Sequence, residues 1–143
     1  MKVHELIYSI DTIDDVVEDL KQLLPDYKIF TFTGTLGAGK TTLIQALLKA
    51  NGIDEYIQSP TFTYMTSYTN AAGYTFYHFD LYRLKSTQEF LYAGFQEYLY
   101  EPKSWAFIEW PEIIKPLIKH KVCAIAIDYF GDNRRKLRYE LVD

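Results

Sequence analysis

Lys40 and Thr41 close the stretch Gly34-Thr35-Leu36-Gly37-Ala38-Gly39-Lys40-Thr41, which has the spacing G-x-x-x-x-G-K-[ST]. Glycines at 34, 37 and 39 allow a backbone curl in which successive N–H groups converge on one point, a nest for an anion with several oxygens. Lys40 supplies positive charge for the β- and γ-phosphates of a nucleotide, and the Thr41 hydroxyl is a ligand type suited to Mg2+. Two acids extend the set. Asp80 closes Tyr74-Thr75-Phe76-Tyr77-His78-Phe79-Asp80, and an acid at a strand end on the phosphate side is where metal-bound water is held or activated. Glu109 closes the apolar run Ser104-Trp105-Ala106-Phe107-Ile108-Glu109, the position of a carboxylate that organises Mg2+ beside a phosphate loop. His78 shares a face with Asp80 if the strand runs that far. Other roles stay open: His78 as a hydrogen-bonded structural histidine, Asp80 paired locally with Arg83, and Glu109 as a surface acid. Ser59, Thr61 and Thr63 are either hydroxyls that sense metal and γ-phosphate or plain strand residues.

The flanking elements have to place these groups. Lys28 to Thr33 is β-branched and aromatic and reads as a strand. Thr42 to Ala50 is apolar at helical spacing and closes at Asn51-Gly52. Strand, glycine loop and helix together are the context a phosphate loop needs, and the helix N-terminus attracts anions in its own right. Upstream, His4 to Ile10 alternates as an edge strand. A helix follows with Ile13, Val16, Val17, Leu20, Leu23 and Leu24 on one face, opened by a capping box of Thr12 with Asp15 and ended by Pro25-Asp26. Thr61 to Tyr68 and Tyr74 to Asp80 form a hairpin around Asn70-Ala71-Ala72-Gly73. A helix runs from Thr87 to about Ala93 and stops at Gly94, with a further helical turn at Phe95 to Tyr100 and a short helix at Ile113 to Leu117. Lys121 to Tyr129 and Lys136 to Val142 form a last hairpin around Gly131-Asp132-Asn133. Arg134, Arg135, Lys136 and Arg138 cluster there, as a solvated hairpin end or as a contact to nucleotide or partner.

The expected fold is therefore one α/β domain over residues 1–143, P-loop NTPase-like, with a mixed central sheet flanked by helices and extended by antiparallel hairpins. A length of 143 residues suits a single core, and no linker, repeat or low-complexity segment divides it. A net charge of −4 argues against broad nucleic-acid affinity. The one cysteine, Cys123, admits no disulfide within the chain and fits a reducing, cytoplasmic setting. Neither a signal-peptide pattern nor a membrane-length apolar run is read. With 13 Tyr and 9 Phe the chain is ring-rich, and Tyr82, Phe90, Tyr92 and Phe95 are either a docking face or core.

Four of these segments together resemble the TsaE (YjeE) family of small bacterial ATPases. They are Gly-x-Leu-Gly-Ala-Gly-Lys-Thr-Thr, Ser-Pro-Thr-Phe, Tyr-His-Phe-Asp-Leu-Tyr-Arg-Leu and Glu-Trp-Pro-Glu, and the likeness runs from about Asp11 to Leu141. The spacing from Glu89 to Gly94 and the following Tyr98-Leu99 agree with it. The chain departs at Thr35, where the family usually has Asp, which bears on an acid in the loop's first turn and not on phosphate binding. The resemblance implies a role in forming threonylcarbamoyladenosine in tRNAs that read codons starting with adenine. It implies ATP with Mg2+, the phosphates on Leu36, Gly37, Ala38, Gly39, Lys40, Thr41 and Thr42, and the metal on Thr41 and Glu109. Asp80 is implied to matter for hydrolysis, alongside Lys40 and Glu109, and the adenine to sit near Thr12 at the start of the first helix and near Asn133 and Arg134. It further implies work with two proteins of the TsaB and TsaD type, with tRNA met only through that complex.

Two rival readings use the same loop. A small-molecule kinase needs a lid that excludes water, and no arginine-rich acceptor lid is read here. A non-catalytic module would bind ATP without turnover. The charge balance makes one direct prediction: the purified chain binds tRNA weakly, with a Kd above about 1 μM at physiological salt and a steep loss of binding as salt rises. Submicromolar binding in a filter assay at that salt would contradict it.

Overall fold

The computed structural model describes residues 3–35, 37–58, 60 and 63–143. Its framework is a seven-stranded sheet built from β1 (Val3–Ser9), β2 (Ile29–Gly34), β3 (Met65–Thr69), β4 (Thr75–Asp80), β5 (Ser104–Glu109), β6 (Val122–Phe130) and β7 (Arg134–Val142). The order across the sheet is β1-β7-β6-β2-β5-β4-β3. The inner strands β6, β2, β5 and β4 run parallel to one another, while β3 pairs antiparallel with β4, β7 with β6, and β1 with β7. The sheet is thus mixed, with antiparallel strands at both edges, as expected from the hairpin patterns. Parallel strands are buried on both sides, and β2 and β5 are accordingly buried along most of their length.

Among the described residues three α-helices cover the sheet: α1 (Ile13–Lys21), α2 (Lys40–Ala50) and α3 (Thr87–Tyr92). Val16, Val17 and Leu20 of α1 and Leu43, Ile44, Leu47 and Leu48 of α2 bury helical stripes on one face, against Phe30, Phe32, Phe107, Ile125 and Ile127. Phe90 of α3 and Ile114 of a 3-10 segment at Pro111–Leu117 cover Ile29, Phe79, Ala106 and Ile108 on the other. Phe90 is fully buried, so it belongs to this core and not to a docking face. Tyr82 and Tyr92 are exposed. None of the described helices is long and apolar enough to cross a membrane.

Several boundaries differ from the sequence expectation, each for a local reason. α1 ends at Lys21, and the chain continues as turns to Asp26 because Leu23 and Leu24 bond back over three residues. The Thr12–Asp15 box does not form. The Thr12 hydroxyl instead accepts from the Ser9 backbone N–H at 2.9 Å, closing a 3-10 turn before α1, and makes no side-chain cap to the helix. β3 starts at Met65, after Tyr64 turns with a φ of 65° and its carbonyl accepts from Asp80 N–H at 2.9 Å. Thr61 and Phe62 lie outside the described residues. α2 begins at Lys40, two residues before the apolar periodicity suggests, because Gly39 at its N-cap takes a φ of 102° that delivers the loop directly into the helix.

Gly34 is where β2 becomes the loop. It pairs with Ile127 in the register of β2 and β6, and a Cβ on it would stand 2.3 Å from the Ile127 carbonyl oxygen. Gly34→Ala should therefore lower unfolding free energy by about 3 kcal/mol, from overpacking against backbone that cannot yield. Denaturant unfolding checks this, and a loss under about 1 kcal/mol would mean that β2 and β6 separate here at little cost.

Candidate phosphate site

Three strand ends meet where the glycine loop opens. β2 runs out into the loop at Gly34, and Asp80 and Glu109 are register partners at the ends of adjacent parallel strands β4 and β5. The N-terminus of α2 faces them, because Thr41 in its first turn donates to Glu109 Oε1 and Oε2 at 3.0 and 3.1 Å. A hollow of about 430 Å3 lies between, lined by Gly37, Gly39, Lys40, Thr41, Thr42, Asp80, Tyr82, Arg83, Glu109 and Trp110. Ligands of open α/β sheets bind outside the carboxyl ends of the strands, which is this location.

The charges inside it are closely held. Lys40 is 5% exposed, its Nζ donates to the Gly34 carbonyl at 2.7 Å, and it stands 4.0 Å from the centre of the Trp110 ring. Burial pulls its pKa below the usual lysine value, and Glu109, Asp80 and Glu112 pull the other way. Glu109 is 3% exposed and takes a second bond, 2.7 Å from its Oε2 to His78 Nε2. Asp80 is half-buried, and its Oδ1 accepts from the Tyr82 N–H at 3.1 Å. Burial raises its pKa, Glu109 raises it further, and the Tyr82 bond, His78 and Lys40 oppose the rise. A carboxylate with a raised pKa is a better proton acceptor than an exposed aspartate.

A second hollow of about 310 Å3 opens on the outer side of the loop, lined by Tyr8, Ile10, Ile13, Gly37, Ala38, Gly39, Thr42, Asp132, Asn133 and Arg135. The loop is fastened there from the β6–β7 hairpin: Tyr129 Oη donates to the Gly37 carbonyl at 2.9 Å and Arg135 Nε to the Ala38 carbonyl at 3.0 Å.

The structure brings Gly37, Ala38, Gly39, Lys40, Thr41, Thr42, Asp80, Glu109 and Asn133 to these two hollows. Thr12 lines neither, its hydroxyl being spent on Ser9. Arg134 lies on the opposite side of β7, stacked on Phe130, and the arginine at the loop is Arg135. Adjacent strand residues face opposite ways, so one residue decides the side. Leu36, Ser59 and Thr61 lie outside the described residues. Thr63 is exposed and bonds the Met65 carbonyl. Sequence reasoning placed no role on Trp110, whose φ of 57° is unusual for an aromatic residue and directs its ring over Lys40, nor on Tyr129, and it held Arg135 only as one of a basic cluster open to a solvated or a contacting role.

The family profile described as "Threonylcarbamoyl adenosine biosynthesis protein TsaE" matches residues 7–137. This chain belongs to the TsaE family. Curated TsaE-family relatives, each called tRNA threonylcarbamoyladenosine biosynthesis protein TsaE, include one from Haemophilus influenzae, 40% identical over 101 residues, covering 71% of this chain and 63% of the relative. Another, from Rickettsia conorii, is 38% identical over 117 residues and covers 81% and 65%. The chain thus spans a little under two thirds of the length of these two. A TsaE-family protein from Borreliella burgdorferi is 36% identical over 112 residues, covering 78% of this chain and 80% of the relative. The crystal structure of Bacillus subtilis YdiB superposes with a TM-score of 0.73 over 100% of this chain and 89% of that one, at 24% identity, and has the same fold.

The raised Asp80 pKa gives a stability prediction. Between its ordinary value of 3.8 and the raised one, the folded state binds more protons than the unfolded state, so the charge destabilises the ligand-free fold above that window. Asp80→Asn keeps the acceptor for Tyr82 N–H and removes the charge. Its Tm should equal or exceed wild type at pH 7, and any advantage should shrink as pH falls towards 3.8. A lower Tm at pH 7 would contradict this reading.

Proposed function

We propose that the chain is a cytoplasmic ATPase that serves the formation of threonylcarbamoyladenosine in tRNA together with TsaB- and TsaD-type proteins. The observation that carries the ATPase reading is the Thr41–Glu109 pair, a hydroxyl 3.0 Å from a buried carboxylate, beside a glycine loop and a buried lysine. A hydroxyl and a carboxylate are hard oxygen donors of the kind Mg2+ takes, with its remaining positions filled by phosphate oxygens and water. The pathway reading rests on membership of the TsaE family and on the shared name of the relatives.

In this reading the backbone amides from Gly37 to Thr42 and the Lys40 ammonium hold the triphosphate, with the help of the α2 N-terminus. Thr41 and Glu109 would hold Mg2+, which would supply charge neutralisation to the triphosphate. Asp80 orients a water in line with the γ-phosphorus and receives its proton as the new P–O bond forms and the bond to the β–γ bridging oxygen breaks. ADP and phosphate leave, and the proton passes to solvent. The adenine rests in the outer hollow by Tyr8, Ile13 and Asn133, with Arg135 fixing the loop beneath it. The work of hydrolysis passes to the partners, and tRNA is met through them.

Turnover is then slow for the chain alone and faster with both partners, since phosphoryl transfer depends on positioning and on charge that a partner can complete. Asp80→Ala should lower single-turnover cleavage in the assembled complex by at least about tenfold while ATP affinity stays within a few-fold, because Asp80 acts mainly in the transition state. Phosphate release measured for the chain alone, for the complex and for the complex with the variant tests this. Fast cleavage by the chain alone, or an undiminished rate in the variant, would count against it.

A further inference from the structure

His78 is fully buried, a polar residue on β4 held away from solvent. It lies one pleat behind Asp80 on the same face, opposite Phe107 in the β4–β5 register, so its ring reaches Glu109 from the interior side. The 2.7 Å contact between His78 Nε2 and Glu109 Oε2 is at the short end for a nitrogen donating to a carboxylate. Glu109 is held from two directions at once: Thr41 spans both of its oxygens from the helix, and His78 takes Oε2 from the sheet. A side chain so fastened cannot rotate about its last torsion without losing one bond.

The other ring nitrogen decides what the histidine is for. His78 Nδ1 is buried and finds no hydrogen-bond partner among the described residues. With Nε2–H donating to the carboxylate, Nδ1 is left as a buried acceptor without a donor, which costs stability. A leucine or phenylalanine would fill this position without leaving an orphaned nitrogen. A histidine here is a loss to the fold unless the bond to Glu109 returns something at the site, and positions that break a packing rule in this way are expected where function overrides stability.

We propose that His78 is a positioning residue of the phosphate site: it holds the Glu109 carboxylate in the orientation in which it meets Mg2+, and it touches neither nucleotide nor metal itself. The proposal rests on the ATP and Mg2+ reading above. Carboxylates that ligate metals are themselves oriented by hydrogen bonds, and removing such a partner commonly weakens metal binding by about 10- to 100-fold.

The test separates metal binding from nucleotide binding. The affinity of the purified chain for ATP is measured by calorimetry in EDTA and across a Mg2+ titration, for wild type, His78→Leu, His78→Gln and His78→Asn. Gln can place an amide N–H where Nε2 stands, whereas Asn places its amide nearer Nδ1. His78→Leu should keep ATP affinity in EDTA within a few-fold of wild type and need about 10-fold more Mg2+ or above for half-effect. His78→Gln should recover most of the loss and His78→Asn little, a contrast that stands even if the leucine variant fails to fold. In a Glu109→Gln background, His78→Leu should change the Mg2+ response no further, since the effect travels through the carboxylate. Wild-type Mg2+ dependence in His78→Leu, or equal losses in Gln and Asn, would overturn the proposal while leaving the ATP reading intact. Wild-type protein whose ATP affinity ignores Mg2+ would overturn both.

Discussion

A carboxylate and an ammonium are buried within one small region of this fold, and neither can be left without partners. Glu109 and Lys40 are 3% and 5% exposed, and a buried charge without hydrogen bonds would cost more than the whole domain's stability. The surrounding structure is arranged to meet that demand. Glu109 takes Thr41 from the helix side and His78 from the sheet side, and Lys40 takes the Gly34 carbonyl and the face of Trp110. Each partner comes from a different part of the chain, so β2, α2, β4 and β5 must all be in place before both charges are satisfied. This couples the integrity of the site to the cooperativity of the fold.

The topology explains why those elements converge. β2 lies between β5 and β6, all parallel, so the carboxyl ends of β2, β5 and β4 fall on one edge of the sheet and α2 starts over them. The antiparallel extension through β7 and β1 does a second job. It returns the β6–β7 hairpin to the loop, where Tyr129 and Arg135 bind the carbonyls of Gly37 and Ala38. Holding those carbonyls turns the loop's N–H groups away from the hairpin and fixes a backbone that carries two positive-φ glycines, Gly37 and Gly39.

Much of this was legible in the sequence because the signals were local. The G-x-x-x-x-G-K-T spacing, the apolar run at 104–109 and the turn at 131–133 each rest on residues adjacent in the chain, and β5 has the bounds the sequence suggests. What was not legible depended on parity or on distance. Arg134 and Arg135 are neighbours, and a one-residue difference on a strand reverses the face, so composition alone could not say which would meet the loop. Thr12 reads as a helix cap, but the hydroxyl found the Ser9 amide first. Phe90 is as apolar as an exposed docking residue would be, and only the packing of α3 on the sheet puts it in the core. His78 stood out by spacing with Asp80, yet its partner is 31 residues away on another strand, a pairing that only the β4–β5 register reveals.

The account turns on the claim that the buried lysine and the glycine loop form a triphosphate site. Calorimetric titration of ATP with Mg2+ into wild type and Lys40→Ala tests that most directly. Lys40 stands at the start of α2, and in the proposed site it contributes one charge among the phosphates. The account predicts that wild type binds and that the variant loses most of its affinity while keeping a folded circular dichroism spectrum. Equal affinities in the two proteins would contradict it.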